Sequence, residues 1–249
     1  MKKSAMLRKN CRSAFQQQRG VALFVVIIFV MLSMLLALWA TRTSMFNEMV
    51  VGNDADYQRA YEAAQALLQD AELDIRGENS DGTSCVGESD ICRKTTTAKI
   101  PLEAQDIAPL LSSVASICSQ GLCSKRDGNQ DFWNNSDEKL GLTLAQMAKS
   151  GVGARYGQYT GASLGSTSEP ANPILADISA ANRGGWYWIE VLPYLDTKNM
   201  GLITDNPKNF LALNLKPNVV YRITTLAYGR KPNTMVVLQQ TYAQQKRKD

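Results

Sequence analysis

Between Val21 and Ala40 the chain runs through twenty residues, VALFVVIIFVMLSMLLALWA, with Ser33 as the only polar side chain and no charge, glycine or proline. At ~1.5 Å per residue such a helix is about 30 Å long, the hydrocarbon thickness of a bilayer. A buried helix of a soluble protein seldom stays apolar all round for this length, so the run reads as a membrane span. The flanking charges give it a direction. Lys2, Lys3, Arg8, Lys9, Arg12 and Arg19 precede it with no acid among residues 1–20, and only Arg42 follows closely. That asymmetry places residues 1–20 in the cytoplasm and the C-terminal body on the far side.

The same six cations account for the net charge. The whole chain of 249 residues carries 27 Lys+Arg against 23 Asp+Glu, for a formal +4. Without residues 1–20 the balance is 21 basic against 23 acidic side chains. The body therefore has no basic excess of the kind a nucleic-acid partner requires. Histidine is absent. That excludes a Ser-His-Asp triad, a Cys-His pair, an HExxH zinc site and any histidine general base.

Beyond the span, TRTSMFNEMVVGN reads as more helix. All eight prolines lie at or after residue 101, and Gly52 is the only glycine between Val21 and Arg76. One helix is expected to leave the membrane and continue to a stop at Gly77, with a bend allowed at Gly52-Asn53. Tyr57, Ala60, Tyr61, Ala64, Leu67, Leu68, Ala71 and Ile75 recur at three- and four-residue steps, one face of an amphipathic helix. Asp54, Asp56, Arg59, Glu62, Gln65, Gln69, Asp70 and Asp74 are assigned to the remaining surface. The apolar stripe is expected to pack on the protein's own sheet.

Residues 78–183 read as a loop-rich middle with short helical patterns near 103–118 and 137–149. Order returns at Trp186–Leu192 (WYWIEVL). Val219–Tyr228 and Thr234–Tyr242 are β-branched and aromatic runs joined by GRKPN, an antiparallel hairpin with Pro232 in its connection. A lone hairpin is marginal, so it should join the 186–192 strand and pack on the helix. The fold class is α+β: a long N-terminal helix packed on a C-terminal antiparallel sheet. The divisions are a leader at 1–20, the span at 21–40, the outer helix at 41–77 and a globular domain at 78–249, with its middle at 78–183 and its sheet at 184–245. Lys246-Arg247-Lys248 reads as a solvated end.

Cys11 lies in the leader. Cys85, Cys92, Cys118 and Cys123 all follow the span, and an even number in an oxidising compartment favours disulfides. Three pairings exist. Cys85–Cys92 with Cys118–Cys123 is preferred because each closes a short loop. A four-cysteine zinc site fits poorly, because zinc knuckles use tighter spacings. Asp127, Asn129, Asp131 and Glu138 fall at four ligand positions of a twelve-residue calcium loop, but Phe132 stands where that loop needs glycine. A polar surface loop is the simpler reading. Gly151-Val-Gly153-Ala-Arg-Tyr-Gly157 departs from G-x-G-x-x-G and no strand leads into it, so it reads as a turn. No catalytic constellation and no need for a cofactor emerges.

A short basic leader ending in Gln18-Arg19-Gly20, followed at once by a span that stays attached, resembles the type III signal of type IV pilins and pseudopilins. An ordinary secretory signal would have a shorter apolar stretch and a small-x-small cleavage site. The resemblance implies that prepilin peptidase cuts after Gly20 and that Val21 becomes the N-methylated first residue. Most pilins carry a glutamate at the fifth residue after the cut; here that residue is Val25. Among pilin-like proteins that departure is typical of filament-tip subunits, so Val25 marks the tip. AYEAAQALLQDAE at 60–72, GLC at 121–123 with Trp133, YGQYTGA at 156–162, WYWIEVL and YRITTLAYGR…NTMVVLQQTY together resemble PilX-type minor pilins. Gln65 replaces the acidic residue of the first motif.

The PilX resemblance implies a non-enzymatic assembly factor of the type IV pilus. It implies partners among the other minor pilins (FimU, PilV, PilW and PilE types), the major pilin and a PilY-type tip adhesin. It also implies roles in pilus biogenesis, adhesion and twitching motility. Its expected place is the bacterial inner membrane as a single-pass protein with a periplasmic C-terminal domain, and then the pilus tip. Two alternatives remain at this level. One is a GspK-like tip pseudopilin of type II secretion, which would carry a large helical insertion. The other is a single-span periplasmic sensor or binding protein.

Overall fold

The structure, a computed structural model, describes residues 19–85, 91–93, 99–101, 118–126, 130–166, 171–196, 201–203 and 219–244. Helix α1 spans Arg19–Arg76. Nothing within it forces a break: it contains no proline, and Gly52 is its only glycine between Val21 and Arg76. It stops where Gly77 takes φ 65°, a left-handed conformation that suits glycine. The Gly77 and Glu78 N–H groups then bond back to the carbonyls of Asp74 and Leu73, at 3.1 and 3.0 Å. The chain divides into two compact units at Gly52. The first is described only by its helical segment.

The second unit, from Asn53, holds the sheet. Its strands are β1 (Leu122–Ser124), β2 (Gly185–Asp196), β3 (Gly201–Ile203), β4 (Val219–Tyr228) and β5 (Met235–Tyr242). The order is β1-β2-β4-β5, and β3 pairs with the far end of β2. The expected hairpin is β4–β5, antiparallel with Tyr221 opposite Tyr242, and it joins β2 with Ile189 opposite Ile223. The α+β arrangement therefore stands. One edge is added to the antiparallel plan: β1 runs parallel to β2, so the sheet is mixed. Gly121 makes that edge possible, because a Cβ there would lie 2.6 Å from the Cβ of Ala154. The Ile189 N–H bonds to the Gly121 carbonyl at 2.6 Å.

Strand alternation assigns the two faces of the sheet to two cores. Tyr187, Ile189, Val191, Tyr221, Ile223 and Ala227 point to α1 and cluster with its Ala60, Ala63, Ala64, Leu67, Ala71 and Ile75. Small side chains bring the helix close to the strands. The Thr225 hydroxyl donates to the carbonyl of Ala64 at 3.1 Å, and a Cβ on Gly185 would lie 2.4 Å from Leu67 Cδ1. Trp186, Trp188 and Leu226 point the other way and are covered by Phe132, Met147 and Ala148.

The middle is thus more than loops around a domain, since it supplies the cover of the second sheet face. Its 137–149 pattern becomes a single turn, α2 (Leu144–Met147), held by a capping box between Thr143 and Gln146. The 103–118 pattern lies almost wholly outside the described residues, as does the tail at 246–248.

Candidate assembly surface and its supports

The segment of α1 that begins at Val21 is bare. Its most apolar window has a mean hydropathy of 3.2 with none of it buried in the protein. Val21 is 66% exposed and Val25 42%. Soluble monomers do not present a continuous apolar surface of this kind to water, so the environment must come from lipid or from other apolar helices. Three hydroxyls in and just beyond the apolar run also suit that environment. The hydroxyls of Ser33, Thr41 and Thr43 bond to carbonyls four residues back, at 2.7, 2.7 and 3.0 Å. Gly20 lies in the first turn of α1. The leader residues up to Gln18, Cys11 among them, lie outside the described residues.

Three acids assigned from the sequence to the exposed side of α1 are in fact buried: Asp56 at 2%, Asp70 at 2% and Asp74 at 6% exposure. Tyr57, assigned to the apolar stripe, is 49% exposed. The reason is that each acid anchors a different distant segment to the helix. Asp56 receives the N–H groups of Arg230 and Lys231, at 2.9 and 3.0 Å, and so ties down the β4–β5 turn. Burial pushes its carboxyl up, but those two amides and the Thr234 hydroxyl hold it below the usual carboxylate value.

Asp70 takes the Thr160 hydroxyl and, at 2.8 Å, the N–H of Gly157. Burial raises its pKa to about 6, with the nearby Asp74 charge adding to the rise and the two hydrogen bonds opposing it. The glycine turn 151–157 therefore does hold an anion, and that anion is the protein's own helix carboxylate.

Asp74 is bidentate to Arg93, at 2.8 and 2.7 Å, and accepts the Tyr187 hydroxyl at 2.9 Å. The guanidinium also lies 3.7 Å from the Tyr159 ring centroid. Although burial opposes it, the Asp74 carboxylate holds the Arg93 pKa above the ordinary arginine value. On the opposite sheet face Glu190, 2% exposed, gathers the Arg126 N–H at 2.7 Å and the Arg222 guanidinium at 2.6 Å.

The spacing 56, 60, 63, 67, 70, 74 alternates steps of four and three, which is one helical face. Acids at three of those positions are the sequence signal that an apolar-only count of the stripe passes over.

Disulfides join Cys85 to Cys92 and Cys118 to Cys123. Of the calcium candidates, Asp127 and Asn129 lie outside the described residues, and Asp131 and Glu138 are exposed. Phe132, at the position where the loop would turn, is buried and meets Trp188 edge-on at 4.9 Å. Among the described residues no group of three or more His, Cys, Asp or Glu could hold a metal ion.

Two family models match the chain. The one described as Type IV pilus assembly protein PilX C-term covers residues 119–244, and the PilX N-terminal model covers residues 19–69. No curated protein and no solved structure matches it.

Proposed function

Because the chain belongs to the PilX family of type IV pilus assembly proteins, we propose that it is a minor pilin that primes and caps the filament from its tip. Prepilin peptidase cuts after Gly20, and Val21 becomes the methylated N-terminus. Before assembly the subunit waits in the inner membrane with a periplasmic C-terminal domain. In assembly the apolar segment exchanges lipid for the helices of neighbouring subunits. Its partners are the other minor pilins of the FimU, PilV, PilW and PilE types, the major pilin and a PilY-type adhesin. Through them it supports adhesion and twitching.

The observation that carries this reading is the division of labour within α1: bare and apolar from Val21, packed under a sheet from Ala60. Such a helix needs an apolar partner along one stretch and has already found its partner along the other. Val25 supports the tip placement. A glutamate there would need an ammonium partner from an adjacent subunit, since an unpaired buried charge is costly.

The test is the mass of the N-terminal peptide from the membrane-derived protein, together with piliation in a Gly20→Val strain. The expected result is a chain beginning at methylated Val21, and an uncut variant that fails to restore pili to a deletion strain. An uncut wild-type chain that supports full piliation would overturn the proposal.

A further inference from the structure

Two cavities meet on the sheet face that α1 does not cover. One, of about 610 Å³, has an aliphatic and aromatic wall from Trp133, Leu144, Ala148 and Tyr228, with polar side chains, the acid Glu138 among them, completing its lining. The other, of about 510 Å³, is lined by Arg183, Arg230 and Lys231 with no acid among its lining residues. Asn182 and Tyr228 line both, so they form one groove with an apolar wall at one end and three cations at the other.

The walls are fixed in advance. Arg155 stacks 3.4 Å from the Trp186 ring centroid and donates to the carbonyls of Ala180, Arg183 and Gly185, at 3.1, 2.6 and 3.2 Å. Trp186 Nε1 donates to the Ala181 carbonyl at 2.8 Å. Across the groove, the Asn135 amide donates to the carbonyls of Gly141 and Leu142, both at 3.0 Å, beside the capped turn α2. A preformed groove avoids the ordering cost that weakens binding by mobile segments.

We propose that this groove docks an extended segment of another protein, with an acidic side chain at the Arg183–Arg230 end and an aliphatic or aromatic one against Trp133 and Leu144. Charge complementarity selects the acid. Among the described residues Arg183 pairs with Asp177 at 3.7 Å, an exposed pair worth little. Tyr, Trp and Arg are the side chains that dominate binding energy at protein interfaces, and here they line one groove. An acidic sugar, whose hydroxyls Asn134, Ser136 and Thr143 could meet, is the competing occupant that the test must exclude. If the protein is a pilus subunit, as proposed above, the bare stretch of α1 serves the filament and this groove is open to a further partner.

The experiment is selection of a displayed random-peptide library on the full chain in nanodiscs, followed by titration of the enriched peptides. They are expected to carry Asp or Glu a few residues from a Leu, Phe or Trp. Asn182→Trp, which fills the junction without removing a core group, should abolish their binding. Arg230→Glu should weaken it on the order of tenfold. Arg59→Glu, on the exposed side of α1, should leave it unchanged, and all variants should melt as wild type. Failure to enrich such peptides, equal binding to the Asn182→Trp chain, or saturable binding of oligogalacturonate alone would overturn the proposal. Loss of processing at Gly20 would remove the pilus reading and leave this test standing. A cut, assembled chain with no peptide site would remove the groove alone.

Discussion

The two stretches of α1 solve opposite problems with one backbone geometry. From Val21 to Ala40 large apolar side chains are exposed, and the hydroxyls of Ser33 and, just beyond, Thr41 and Thr43 turn back on the helix itself. From Asn53 to Arg76 the buried face is made of alanines, one leucine, one isoleucine and three aspartates. The first stretch must suit any apolar surround, lipid or helix, so bulk and uniformity matter and specific partners do not. The second must suit one partner only. Ala60, Ala63 and Ala64 let the strands approach, and each aspartate fixes a segment that is remote in sequence. The difference teaches that the polar residues of the packed stretch, more than its apolar ones, specify which loops sit where.

The largest expected effect breaks the packed stretch at its buried ion pair. Asp74→Ala would leave the Arg93 guanidinium, with its side chain 5% exposed, and the Tyr187 hydroxyl without their shared carboxylate, the guanidinium keeping the Gln120 carbonyl. Breaking one partner of a buried pair costs about 3–5 kcal/mol. The domain's melting temperature should fall accordingly, or the domain should fail to fold. Ser33→Ala, the matching polar deletion in the bare stretch, removes only a local bond to Phe29 and should leave that melting temperature unchanged. Equal effects of the two variants would break the contrast.

A smaller and opposite effect is expected at Asp70. Its pKa is raised to about 6 in the fold, so the folded chain holds the proton more tightly than the unfolded chain. Its contribution to stability is fully present below the ordinary carboxylate value and is lost as pH rises through about 6. At neutral pH the ionised carboxylate costs about 3 kcal/mol. Asp70→Asn keeps an acceptor for the Gly157 N–H and gives the Thr160 oxygen a donor. It should stabilise the domain at pH 7 by about 1–3 kcal/mol. It should also flatten the decline of melting temperature between about pH 4 and 6. A destabilised variant that also loses a wild-type decline in melting temperature toward acid pH would show instead that the charge itself holds the turn.

These two acids also mark where sequence reading stops. The span, the stop at Gly77 and the β4–β5 hairpin were legible because each is written in a local period: an unbroken apolar run, a three-four stripe, a two-residue alternation. Asp56, Asp70 and Asp74 were not read as buried, because their partners at 230–231, 157–160, and 93 with 187 are far away in the chain. Nothing local distinguishes a solvated acid from an anchored one, apart from the four-three spacing they share with Ala60, Ala63 and Leu67. β1 escaped for a related reason. Three residues, LCS, carry no periodicity, and their place is set by Gly121 and Ala154 on a neighbouring segment. The second core was hidden in the alternate residues of WYWIEVL, whose facing partners Phe132 and Met147 come from turns.

The smallest effect on the fold, and the sharpest for assembly, is expected from Val25→Glu. Val25 lies in the bare stretch, so the domain's melting temperature should not change at all. The consequence falls on the surroundings of the helix. In lipid before assembly and among apolar helices afterwards, a glutamate would stay protonated or cost several kcal/mol unless an ammonium reaches it. An adjacent subunit's first residue could supply that ammonium in a shaft position. A tip subunit has no subunit above to offer one. On the proposed tip placement, Val25→Glu should leave piliation unchanged or lower it, as counted by electron microscopy of a complemented deletion strain. If pilus number instead rose above wild type, or gold-labelled subunit spread along the shaft, the native valine would be a defect in a shaft subunit. The tip placement would then fail, while the contrast between the two stretches of α1 would survive with its bare half finding partners all along the filament.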